Sequence, residues 1–180
     1  DGLEPNDARA VFKNVSVDMR QFKKLRMFLH AESLPTPPET QPLQDNEMKA
    51  FLRFGNDFTE NFYQIEIPLK VSAQNAATPE AIWPSENEIE VALSILTALK
   101  SKIISDPNSI TPDVNGIRFV NEQDLGSSNN KLTIGIKGNP NFGLVRTLMV
   151  GVKNNTNQII RGEVWFNELR LSDLDNKGGY

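Results

Sequence analysis

The chain has 180 residues, 38% of them hydrophobic and 23% charged, the balance of a globular protein rather than a disordered one. A formal net charge of -4 and an isoelectric point near 5.1 leave no basic footprint for nucleic acid, and the longest apolar runs are too short for a membrane helix. There is no Cys, hence no disulfide, thiol nucleophile or thiolate zinc site, and the length suits one domain able to bury roughly 70% of its unfolded surface.

Residues 11–19 alternate with period 2, placing Val11, Val15, Val17 and Met19 on one face with only Lys13 interrupting it. Over 22–32, Leu25, Met27, Leu29 and Ala31 share one face, while Lys24, Arg26, Phe28, His30 and Glu32 share the other. Prolines at 35, 37, 38 and 42 then remove ladder donors and predict a long loop over 33–47. Met48, Ala50, Leu52 and Phe54 make the next inward face. Tyr63, Ile65, Ile67 and Leu69 make another, with Gln64 and Glu66 turned away. Pro68 has no donor, so that strand ends there or lies at a sheet edge.

A polar loop over 71–87 contains Trp83-Pro84. Residues 88–104 fit both periodicities and are read as a strand to about Leu93, then a short helix to about Ile103 with Ser94 as a candidate cap. After a loop over 104–115 come short apolar alternations at 117–120, at Leu132, Ile134 and Ile136, and at Leu148, Val150 and Val152. In the closing stretch, 162–175, strict alternation puts Trp165, Leu169 and Leu171 on one face. A bulge near Asn167 and Glu168 would instead gather Val164, Phe166, Leu169 and Leu171. Eight or nine short strands, polar loops and one short helix predict an all-β sandwich spanning 1–180. A transmembrane barrel also alternates, but two Trp and two Tyr are too few for its aromatic girdles.

His30 is the only histidine, so any triad or imidazole metal site must use it; Glu32 lies on the same strand face. Without a serine nucleophile motif, a hydrogen bond on a half-buried sheet face is the plainer role. Glu66, Glu163 and Glu168 are the candidate carboxylates for paired acid/base work, against ordinary ion pairing. Asp173, Asp175 and Asn176 offer oxygen ligands for calcium but lack the helix-loop-helix pattern. Trp83 is a candidate loop platform for a ligand, against a plug where the loop closes over the sandwich. No catalytic, cofactor-binding or metal-ligating residue is assigned. The most informative feature is a second apolar set on outward strand faces, Phe28, Phe51, Phe62, Met149 and Trp165, expected either to be covered by the domain's own helix and loops or to form an interaction patch.

Three blocks carry a family resemblance: Val17-Asp18-Met19-Arg20 with Leu25-Arg26-Met27-Phe28-Leu29-His30-Ala31-Glu32; Ile82-Trp83-Pro84-Ser85-Glu86-Asn87-Glu88-Ile89-Glu90; and Gly162 to Asp175 with the Asn176-Lys177-Gly178-Gly179 that follows. They are spread along the whole chain, which resembles the SprA/Sov family, very large outer-membrane proteins of the type IX secretion and gliding-motility system. The resemblance implies one excised extramembrane domain, a jelly-roll-like sandwich similar to carbohydrate-binding and galactose-binding-like domains. It implies a non-catalytic structural role without cofactor, on the periplasmic or cell-surface side. Its partners would be other domains of the parent translocon and its outer-membrane or periplasmic subunits, with secreted cargo as a further class; loops 33–47, 71–87 and 104–115 would offer variable contacts. A carbohydrate-binding module of a cell-surface protein is the alternative expectation.

Overall fold

Alternating apolar residues need a second apolar surface to face, and here two antiparallel sheets supply it to each other. The computed structural model describes residues 2–34 and 41–173. Its strands are β1 (Ala8–Val17), β2 (Lys24–Ser33), β3 (Met48–Gly55), β4 (Phe62–Pro68), β5 (Glu88–Ala92), β6 (Arg118–Asn121), β7 (Thr133–Lys137), β8 (Val145–Asn154), β9 (Gly162–Phe166) and β10 (Arg170–Ser172). The helices are a single turn, α1 (Pro79–Ile82), and α2 (Leu93–Ser105). The large sheet runs β1-β8-β3-β4-β7-β6. In the small one, β2 is flanked by β5 on one side and by β9 and β10 on the other; neither sheet closes on itself among the described residues. The architecture is therefore the all-β sandwich read from the sequence.

The inward faces meet as read. Leu25, Leu29, Ala31, Leu52, Ile65, Ile67, Ile89 and Ile134 are fully buried in one continuous apolar cluster. Burying each Leu or Ile stabilises the fold by about 1.5–3 kcal/mol. The sheets differ in width, however. Met48, Val150 and Val152 share a cleft with Val164 and Phe166, which sets β9 over β3 and β8. At the far end α2 closes the sandwich by burying Leu93, Leu96 and Leu99 and packing on β7. Strand β1 overhangs: Val11, expected inward, is 74% exposed, because the small sheet ends before reaching it.

Three local readings change. Pro68 ends β4 as one alternative held, but β4 is interior, paired with both β3 and β7. Ser94 does not cap α2. The helix begins two residues earlier than that cap implies, at Leu93, whose N–H is taken by the Lys23 carbonyl at 2.8 Å, and Ala92 stands at the cap position. Gln64 and Glu66 do turn away from the core, yet they are buried on the outer face of the large sheet.

The closing stretch is two strands, which makes the total ten. Between the Arg26–Arg170 and Leu29–Phe166 pairs β2 advances three residues while its neighbour advances four. That surplus residue is a β-bulge, and it brings Val164, Phe166, Leu169 and Leu171 onto the core side while Trp165 stays outside, 44% exposed. The Asn167 N–H still bonds the Phe28 carbonyl at 2.9 Å, so the ladder holds across the break.

Asp57 organises the β3–β4 turn. One of its carboxylate oxygens, Oδ1, accepts the N–H groups of Thr59, Glu60 and Asn61, while Oδ2 accepts the Asn61 side-chain amide at 3.0 Å. Burial works against its ionisation, but the N–H groups of Glu60, Asn61 and Thr59 with the Asn61 amide outweigh it and hold the carboxyl at about 2 against an ordinary 3.8.

Two outcomes follow. Deleting Glu168 removes the surplus residue and flips Leu169 and Leu171 toward solvent, lowering unfolding free energy by about 2–4 kcal/mol in urea titrations. Asp57→Ala lowers it by about 1–2 kcal/mol at neutral pH. Because the folded-state carboxyl is depressed, that contribution is complete above the ordinary value of 3.8 and is lost as pH falls toward about 2. The gap between wild type and variant therefore closes over that window in pH-dependent urea titrations.

Candidate functional site

The outward face of the small sheet gathers six of the side chains singled out from sequence, Phe28, His30, Glu32, Glu163 and Trp165 with Trp83 beside them. Alternation along β2 presents Lys24, Arg26, Phe28, His30 and Glu32, and antiparallel pairing sets Trp165 opposite His30 and Glu163 opposite Glu32. On the other flank Phe28 faces Glu88 and Arg26 faces Glu90. Here the charges pair. Arg26 reaches Glu88 and, at 3.4 Å, Glu90, while Lys24 lies 2.8 Å from Glu90 and holds its carboxyl below the usual range. The Arg26 guanidinium also sits 5.3 Å from the centre of the Phe28 ring.

The chain from Ser72 to Asn87 folds onto this face. The Ser72 N–H bonds the Ala31 carbonyl at 2.7 Å, tying the start of the segment to β2, and its hydroxyl donates to the Ala81 carbonyl at 2.6 Å, drawing the segment back on itself. Thr78 accepts the Ala81 N–H at 3.2 Å and Pro79 fills the first helical position, so α1 starts with a side-chain cap and a preset φ. Trp83 follows as the C-terminal cap residue, its N–H on the Pro79 carbonyl.

His30, 3% exposed, joins these parts. Its Nδ1 bonds the Ile82 carbonyl and its Nε2 lies 3.0 Å from the Glu32 carboxylate. The ring stands between the two tryptophans, 5.9 Å from Trp83 in an edge arrangement and 4.8 Å from Trp165. Both ring nitrogens are engaged, so His30 acts as a latch holding the 72–87 segment to the sheet. Trp83 is half-buried beside it. It closes over His30 on one side and, with Phe28, Pro79, Glu80 and Asn167, lines an open groove of about 340 Å³ on the other.

The remaining candidates do not converge with His30. Glu66 lies on the opposite side of the sandwich, 5% exposed and flanked by Lys153 at 3.3 Å and Lys49 at 3.9 Å, and it accepts from Gln64. Glu163 and Glu168 are exposed, with Glu163 on the His30 face and Glu168 in the bulge. Asp173 is exposed, and Asp175 and Asn176 lie outside the described residues. No group of three or more His, Asp or Glu able to hold a metal occurs among the described residues.

The outward apolar set is not one patch, because its members belong to different sheets. Phe51, Phe62 and Met149 lie on the large sheet, with Phe51 and Phe62 buried. Arg53 covers the Phe62 ring at 4.1 Å, and Phe51 packs into a notch at Gly151, where a Cβ would meet its ring at 2.6 Å. Phe28 and Trp165 belong to the small sheet, beside the latch. Pro79, Glu80 and Asn167 were not anticipated as groove residues. Thr78-Pro79-Glu80 is a helix-start signature that would have placed α1, though not what it packs on.

His30→Ala strands the Ile82 carbonyl and the Glu32 carboxylate and removes the ring between the tryptophans. It lowers stability by about 1–3 kcal/mol and shifts the tryptophan emission to the red, whereas Trp165→Ala costs under about 1 kcal/mol because that side chain is already exposed.

No helix of the described residues is long and apolar enough to cross a membrane. No curated protein matches the chain. The family model SprA_N, described as a motility related/secretion protein, matches residues 1–180, the full length over which the three sequence blocks are distributed, and the chain belongs to that family.

Proposed function

We propose that this chain is a non-catalytic, extramembrane docking domain of a SprA-like type IX secretion translocon that serves protein export and gliding motility. The parent on this reading is an outer-membrane protein, and the domain meets its other domains, its outer-membrane or periplasmic subunits, or passing cargo. Membership in a motility and secretion family supports the setting. The observation that carries the docking role is Trp165, 44% exposed on a sheet that the His30 latch and the Arg26–Glu88 pair hold rigid. A large aromatic presented on a fixed strand binds with little ordering cost, and such residues dominate interface energies. The non-catalytic reading is supported by the state of the candidate groups: both His30 nitrogens are engaged and Glu66 lies on the other side of the sandwich.

A second reading, glycan binding, is favoured by one feature, the open groove in which Phe28 and Trp83 meet the polar groups of Glu80 and Asn167.

Replacing Trp165 by Ala together with Glu80 by Lys in the parent protein is expected to impair export and surface motility by about tenfold while leaving its level and membrane assembly unchanged. Normal export and motility would sink the docking role for this face. A saturable change in tryptophan emission on titration with soluble polysaccharide, abolished by Trp83→Ala, would favour glycan binding instead.

A further inference from the structure

Strand β1 is one of the two edges of the large sheet, ten residues long and paired on one side only among the described residues. Every residue from Ala8 to Asn14 is exposed, and pairing to β8 satisfies only one side of its backbone. Native sheets usually blunt such an edge by keeping it short, covering it, bulging it or setting charges along it, and over residues 8–14 β1 carries only the last of these, Arg9 and Lys13. Here the register shift comes only after Asn14, leaving the preceding seven residues regular.

The side chains beside that edge are specific. Pairing of Arg9 with Val152, Val11 with Val150 and Lys13 with Leu148 places all three on the side facing the small sheet. Ala10 and Phe12 lie on the other side, Phe12 64% exposed and 5.0 Å from Phe58. Under Val11, between β1 and β9, opens a cleft of about 210 Å³ lined by Val150, Val152, Val164 and Phe166, with Arg9 its only charged wall. A dry apolar space of about 150 Å³ holds a benzene-sized group, so this one takes a Leu side chain. The sandwich is thus open along one edge, with a backbone row, an apolar slot and two cations in line.

Charge selects the occupant. From Ala8 to Val17 the strand has two cations and no acid, on a chain of net charge -4. Neither Arg9 nor Lys13 has an ion-pair partner among the described residues. A second copy pairing through β1 would gather four cations in one ladder, which disfavours it. We infer that β1 accepts a separate acidic polypeptide segment as an added strand, its carboxylates opposite Arg9 and Lys13 and an aliphatic residue between them seated in the Val11–Phe166 cleft. This is strand addition to a sheet edge, with main-chain bonds giving affinity and alternate side chains giving selectivity. The edge lies away from the Trp165 face, so the docking reading for that face stands or falls separately.

The test uses the 180-residue chain and an acetylated, amidated peptide, Ser-Glu-Val-Leu-Val-Glu-Ser, against the same peptide with Lys for both Glu. Saturable binding of the Glu peptide is expected, at least about tenfold tighter than the Lys peptide, with hydrogen exchange slowed in 8–14. Arg9→Glu with Lys13→Glu, both exposed and so compatible with folding, reverses the preference. Equal binding of both peptides, binding of neither, or protection confined to other segments overturns the proposal. Self-association of the chain with 8–14 protected in the absence of peptide overturns it in favour of a second copy.

Discussion

A six-stranded sheet offers more apolar face than a partner three strands wide can cover, and the rest of this fold follows from that mismatch. The small sheet takes the middle, over β3 and β8, where the fully buried Leu52 and Ala50 lie. Helix α2 takes one flank, with Leu93, Leu96 and Leu99 packed down on β7. On the other flank residues 8–14 of β1 are left exposed among the described residues, and the sequence reflects that: Arg9 and Lys13 stand where a covered strand would place Val or Ile. Inward-facing cations keep such an edge soluble by itself, and they also give it a chemical preference for what it pairs with.

The small sheet solves a different problem. Its outward face would lie open on β2, and the 72–87 segment is drawn across it by Ser72 at one end and by His30 under Ile82 and Trp83 at the other. The bond between the buried His30 ring and the Ile82 carbonyl avoids the desolvation cost of an orphan polar group. It holds the aromatic face on strands rather than on a mobile loop, and this rigidity is what a docking surface needs.

The large sheet's outer face shows why polar residues on alternating strands need not be wet. Gln64 and Glu66 read as turned away from the core and are so, yet they are buried, because β4 is interior and its neighbours reach over it. Arg53 bonds Gln64 at 2.7 Å and the Phe58 carbonyl at 2.8 Å, Gln64 bonds Glu66, and Lys153 closes the chain. Period 2 tells which face a residue takes, but not whether that face is covered. The same gap divided the outward apolar set, since Phe51 and Phe62 proved to be on one sheet and Phe28 and Trp165 on the other.

The inward faces were legible because their signal is local: Leu25-x-Met27-x-Leu29-x-Ala31 must face apolar matter whatever strand lies opposite. The strand-to-helix change near Leu93, the alternative of a bulge at Asn167 and Glu168, and the family from its three blocks were legible for the same reason. The groove and the latch were not, because they join Phe28, His30, Trp83 and Trp165 across separations that only strand order fixes. Nor was the open edge, since nothing within residues 8–17 says that the opposite sheet stops short of them. Sequence by itself determined which residues alternate and hence an all-β sandwich; tertiary structure alone decided which strands are neighbours, and with them which surfaces are sealed, latched or left unpaired, because sheet pairing is set by contacts far apart in the chain.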